Sequence, residues 1–251
     1  MRQAKWMLVT AALLMVVSSA QADFTSIGAP FPGELSQAQI LSGLYGGTFT
    51  ASGVNYGNGS ITAVRMADSP LSGSQGVTEP ASATDQIWHD GFVQASAQAR
   101  YTILPGDTFG YFGGTSGGTY QKLFNVNGYG FNVTGSSGLI DTRGQTWRWG
   151  MSRDGLFGPV VHSSAQADNS GGSDYLVTYQ VNGLSDGNTW TTWLLFWEDT
   201  FGGKIFTGDF NDVVVEVKAT TGISAVPVPG AVALGLVGLG LVGLHQRRRL
   251  A

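Results

Sequence analysis

The sequence predicts an all-β protein: one β-sandwich or jelly-roll-like domain, with a signal peptide before it and a short transmembrane helix after it. Three observations carry this. First, 38 of 251 residues are glycine and only 12% are charged, while aromatics reach 11%, enough for a packed core. Second, short runs rich in Val, Thr, Phe, Tyr and Trp recur along the chain, punctuated by Gly, Asn, Asp and Ser. Third, only one internal stretch has helical spacing, and no repeat of fixed period interrupts the strand pattern.

Residues 1–22 read as a secretory signal. Arg2 and Lys5 supply its positive start and Met7 to Val17 its apolar centre. Ala20 and Ala22 place small residues before a cleavage site at Asp23. The domain then spans residues 23–224. It opens with a helix beginning at Glu34, whose Leu35, Ala38, Ile40, Leu41 and Leu44 share a face before Gly46-Gly47 stops it. Strands are predicted at 48–56, 60–66, 87–103, 120–126, 130–134, 146–151, 175–181, 190–197 and 213–218. Within 87–103 the stretch from Ala95 to Tyr101 is rich in alanine, a weak strand former, though its small residues can alternate inward. Residues 68–83 and 165–173 read as exposed loops.

The tail, 225–251, has three parts: Val226-Pro227-Val228-Pro229, an apolar helix from Gly230 to Leu244, and Arg247-Arg248-Arg249. Those 15 helical residues cover roughly 22 Å against a hydrocarbon core of about 30 Å, which makes a marginal span. Gly235, Gly238, Gly240 and Gly243 lower its helix propensity, and no two stand four apart to form a dimer seam. The arginines favour the cytoplasmic side, which puts the domain outside.

Charge and cysteine content exclude several functions. Arg2, Lys5 and the three tail arginines account for 5 of the 13 basic residues and none of the 17 acidic ones, which leaves the domain at −9. Nucleic acid is therefore not a partner, because phosphate binding needs a basic face. Divalent cations suit such a surface. With no cysteine there is no disulfide, thiol nucleophile or Cys-based zinc site.

The tail resembles the PEP-CTERM sorting signal of Gram-negative bacteria, with Val228 where the family usually has Glu. The resemblance implies handling by the Sec translocon and signal peptidase, transient anchoring in the inner membrane, and cleavage near Pro227–Pro229 by an exosortase. The protein would end at the cell surface or in the exopolysaccharide matrix. A hydrophobic tail that holds a substrate for processing and is then removed follows the logic of a lipid-anchor signal.

One internal stretch concentrates chemistry: "WLLFWEDTFGGKIFTGDFNDVVVEV", Trp193 to Val217. An aromatic strand ends in Glu198-Asp199, a glycine loop follows, and Asp209-Phe210-Asn211-Asp212 feeds a valine strand. The stretch resembles the exported DUF4114 domains at Glu198, Asp199, Asp209, Phe210, Asn211, Asp212, Val213 and Val214. It departs from them at Thr207, where many members have Asp, and at Trp197, where they have Phe. Glu198, Asp199, Asp209, Asn211 and Asp212 offer hard oxygen ligands of the kind Ca²⁺ takes. Asp and Asn beside strands also cap turns, so two readings stand for these five. The spacing is not that of an EF-hand.

The remaining candidates point away from catalysis. His89 and His162 have no ordered partners for a triad or zinc site, and Ser116 lies in a Gly-rich turn rather than a nucleophile elbow. Adjacent strand residues face opposite ways, so Glu198 and Asp199 do not read as a glycosidase pair. Trp147 and Trp149 share a strand face, either as core or as a sugar-stacking platform. The expectation is a non-enzymatic, exported structural or interaction protein that needs no cofactor beyond a stabilising Ca²⁺. The alternative is a carbohydrate-binding module acting on extracellular polysaccharide.

Overall fold

The computed structural model describes residues 24–68, 85–89, 91–102, 106–133, 137–142, 145–155, 158–185, 190–199 and 208–220. The predicted signal peptide with Ala20, Ala22 and Asp23 lies outside them, as do Val226 to Pro229 and Arg247 to Arg249. Among the described residues no helix is long and apolar enough to cross a membrane.

The described chain is mostly strand. The order is β1 (Thr50–Ser52), β2 (Asn55–Gly57), β3 (Thr62–Arg65), β4 (Trp88–His89), β5 (Phe92–Arg100), β6 (Thr108–Gly113), β7 (Tyr120–Asn125), β8 (Gly130–Phe131), β9 (Ser137–Asp141), β10 (Thr146–Gly155), β11 (Gly158–Ser163), β12 (Leu176–Asn182), β13 (Trp190–Trp197) and β14 (Val213–Thr220). They form two antiparallel sheets. The larger runs β1-β2-β3-β12-β13-β14-β5-β8, with β9 also pairing β5. The smaller runs β11-β10-β6-β7, with β4 also pairing β10.

Alternation along the central strands builds two cores. Trp193, Leu195 and Trp197 of β13, with Val213, Val215 and Val217 of β14, meet Phe109, Trp147, Trp149 and Met151 of the smaller sheet. Leu194, Phe196 and Val214 point the other way, against Ile40, Leu41 and Phe210. Strands buried on both faces read as continuous apolar runs, which accounts for Trp-Leu-Leu-Phe-Trp and Val-Val-Val.

The helix α1 spans Gln37–Tyr45 and covers the outer face of the larger sheet. It begins later than Glu34 because Ser36 is the N-cap: its hydroxyl accepts from Gln39 N–H while the Gln39 side chain accepts from Ser36 N–H, a capping box. Gly46, at φ 76°, ends it.

The alanine-rich stretch is strand β5. Val214 pairs with Ala99 and Val215 with Ala97, so Gln98 is an extra residue. This bulge switches the alternation: Ala95 and Ala97 enter the inter-sheet core and Ala99 the helix-side core. The segment 165–173 is largely exposed, as expected of a loop, and it is ordered. It folds as two short 3₁₀ turns, Gln166–Asp168 and Ser170–Gly172, pinned by buried Asn169, whose amide donates to Ser163 and Ser173 carbonyls at 2.8 and 3.0 Å. Strands β6, β9 and β11 were not predicted, because Gly and Pro break their patterns. At Gly110 that glycine is required: a Cβ would lie 2.1 Å from the Gln121 carbonyl oxygen.

Candidate metal centre

The first carboxylates of interest stand where β13 ends and β14 begins. β13 stops at Trp197, so the alternation that would send Glu198 and Asp199 to opposite faces no longer applies. Backbone pairing continues only on one side, with Glu198 N–H donating to the Tyr175 carbonyl at 3.0 Å. The two side chains and Asp212 bring one carboxylate oxygen each within 4.8 Å of one another. Among the described residues no other three acidic or histidine side chains converge so closely.

Backbone donors fix the trio. Asp199 N–H donates to Asp212 Oδ2 at 2.8 Å, and Phe210 N–H donates to Glu198 Oε2 at 3.3 Å. Phe210 reaches that position with φ 52°, a left-handed conformation uncommon outside glycine, and its ring is buried in the helix-side core. Core packing holds the turn that aims the carboxylates.

Among the described residues one cation pairs with them. Arg153, on β10 of the other sheet, pairs with Asp199 Oδ1 at 3.1 Å and donates to the Asp199 carbonyl at 2.7 Å. With all three ionised, the carboxylates would exceed the positive charge of the one guanidinium that pairs with them among the described residues. Burial, then the charges of Asp199 and Glu198, push the Asp212 carboxyl up to about 10. Asp199 Oδ2 is buried and accepts no hydrogen bond among the described residues. A buried acceptor without a donor, in an over-acidic cluster, fits a cation. The donors are all oxygen, the preference of Ca²⁺, with water free to complete its six to eight ligands.

The five predicted ligands therefore divide. Asp209 turns aside to accept from Phe31 N–H at 3.0 Å, and burial followed by the charge of Glu198 raises its pKa. Asn211 is fully buried and donates to the Leu35 carbonyl at 3.0 Å. Gln37 completes this clamp: its amide donates to the carbonyls of Asp209 and Phe210 at 3.3 and 3.4 Å, and its oxygen accepts from Tyr179 at 2.9 Å. So Asp209 and the Asn211 amide bind the N-terminal segment to the loop, while Glu198, Asp199 and Asp212 converge; Asn211 Oδ1 is buried with no hydrogen-bond partner among the described residues. Arg153 has no sequence signal for its part, since it comes from the facing sheet.

The other candidates separate as follows. Trp147 and Trp149 are 1% and 0% exposed in the inter-sheet core, which corrects their assignment as ligand residues: no ring face is available to a sugar. His162 stacks on Tyr175 with ring centroids 3.7 Å apart, and burial followed by the charge of Arg153 lowers its pKa to about 4, so the imidazole is neutral. His89 lies in β4, and Ser116 in the exposed bend between β6 and β7.

Comparison with protein-family models, curated proteins and solved structures finds no match for this chain.

Proposed function

We propose that the chain is an exported structural or interaction protein of the cell surface or exopolysaccharide matrix, with a sandwich-type β domain stabilised by Ca²⁺ and no catalysis of its own. The observation that carries the calcium reading is the convergence of Glu198, Asp199 and half-buried Asp212, with Arg153 the guanidinium paired to them among the described residues. Export is supported by the two chain ends: a charged, apolar and small-residue start, and a Pro-motif, short-helix and arginine finish. In this reading the Sec translocon and signal peptidase act first, the tail lodges in the inner membrane, and an exosortase removes it. A sugar-binding reading built on Trp147 and Trp149 has no support, because both are core residues.

The test is mass spectrometry of both termini after cell fractionation, in a host with an active exosortase. The expected product begins at Asp23, lacks the arginine tail, and leaves the inner membrane. Intact chain kept in the cytoplasm or inner membrane contradicts the proposal.

A further inference from the structure

The outer face of the larger sheet is covered by α1 only in part. Leu194, Phe196 and Val214 pack beneath the helix with Ile40 and Leu41. Beside the last turn of α1 the outward residues become polar. On β14 Glu216 and Lys218 alternate with Val215 and Val217, which enter the inter-sheet core. Their partners on β5 are Ser96 and Gln94.

A groove of about 400 Å³ opens there, lined by Leu44 and Tyr45 of α1, Gln98 of β5, Glu216 and Lys218 of β14, and Leu184 after β12. Small-molecule sites run from about 300 to about 1,000 Å³. The β5 bulge supplies Gln98, the residue without a partner on β14. Its NH₂ donates to Ser96 Oγ at 2.9 Å. The Tyr45 hydroxyl donates to Glu216 Oε1 at 2.9 Å, and Lys218 Nζ stands 3.3 Å from Glu216 Oε2.

In an acidic domain this lining carries no net charge, because Lys218 offsets Glu216. A ligand that is itself an ion finds no excess of opposite charge there. Instead donors and acceptors are mixed. The ammonium and amide NH₂ donate, the carboxylate and amide oxygen accept, and the hydroxyls of Tyr45 and Ser185 do both. Sugar hydroxyls, which donate and accept at once, match such a set. The Tyr45 ring, with Leu44 and Leu184, adds an apolar wall for the C–H face of a sugar ring. From Lys218 the outer face runs in register across Gln94 to Leu139, which is 61% exposed, so the site is open-ended.

We propose that this groove binds a neutral saccharide chain, with Gln98, Glu216 and Lys218 holding hydroxyls and Tyr45 packing against a ring. The open end suits an internal stretch of a polysaccharide rather than a single sugar. This gives a ligand class to the interaction role proposed above, and rests on that reading only for the source of the saccharide. The site lies on the opposite face of the sheet from Trp147 and Trp149.

Isothermal titration of the purified full chain with cellohexaose, maltohexaose and laminarihexaose tests this, with hexagalacturonate as the anionic counterpart. At least one neutral hexasaccharide should bind. Lys218→Ala and Gln98→Ala should each weaken it about tenfold or more. Tyr129→Ala removes a ring that is 60% exposed outside the groove and should bind as wild type. Should Gln98→Ala fail to fold, Tyr45→Phe keeps the ring, removes the hydroxyl and should weaken binding. No binding of the three neutral sugars, or binding of hexagalacturonate alone, overturns the proposal. So does binding that the groove variants leave unchanged, or that follows Tyr129. Titration of purified chain does not depend on export, so this failure is distinct from failure of the localisation test.

Discussion

Replacing Asp212 with Asn keeps the side-chain shape and removes one ionisable group. The amide oxygen can still accept from Asp199 N–H, now at 2.8 Å from Oδ2, and the NH₂ can donate towards Glu198 as a protonated carboxyl would. In calcium-free buffer the wild-type Asp212 carboxyl is pushed from 3.8 up to about 10. The native state therefore holds a proton that the unfolded chain releases. Stability from this group is fully present below 3.8 and is lost as pH rises through the folded value. One such proton gives a slope of about 1.4 kcal/mol per pH unit. His162, lowered to about 4, acts in the opposite sense up to its unfolded value of 6.5, so the clean window lies above that. Between about pH 6.5 and about pH 8.5 wild type should lose about 3 kcal/mol more than Asp212→Asn. For a domain of about 200 residues that is about 6 to 12 °C in Tm. Thermal melts of both chains in EGTA across this range measure it. Parallel pH profiles would mean that Asp212 is already ionised in the fold, and the argument from uncompensated charge would fail.

Three further outcomes follow from the packing and charge. Arg153→Met removes the counter-ion of Asp199 and should cost about 3 to 5 kcal/mol without calcium, by urea unfolding; added calcium should recover more stability than in wild type, because the trio is left more negative. Trp149→Ala empties a fully buried site stacked on Phe109 at 5.1 Å and should lose about 3 to 5 kcal/mol in the same assay; a loss under 1 kcal/mol would contradict its core role. Gly183→Ala would set a Cβ 2.1 Å from the Ser60 carbonyl oxygen at φ 84°, so it should destabilise by about 2 kcal/mol or more, and circular-dichroism melts should show it.

The sequence made the central strands plain, because residues 190–197 and 213–218 carry dense aromatic and β-branched runs. It did not reveal that successive residues of those runs serve different cores; that depends on α1 and the second sheet closing on opposite faces. The weak strands β6, β9 and β11 take their shape from neighbours rather than from propensity. At the candidate metal centre, residue chemistry picked out Glu198, Asp199, Asp209, Asn211 and Asp212 together, and the division among the five followed from distant partners. Phe31 and Leu35 draw off Asp209 and Asn211 across 178 and 176 residues, and Arg153 arrives from 46 residues away.

The claim that these buried carboxylates are completed by calcium is tested most directly by the melting temperature of the purified chain near neutral pH, in excess Ca²⁺ and in excess EGTA. Calcium at 100 times its Kd stabilises the fold by about 2.7 kcal/mol per site. The account predicts a rise of at least about 5 °C for wild type, reduced in Asp212→Asn. A midpoint that does not move between the two buffers would contradict it.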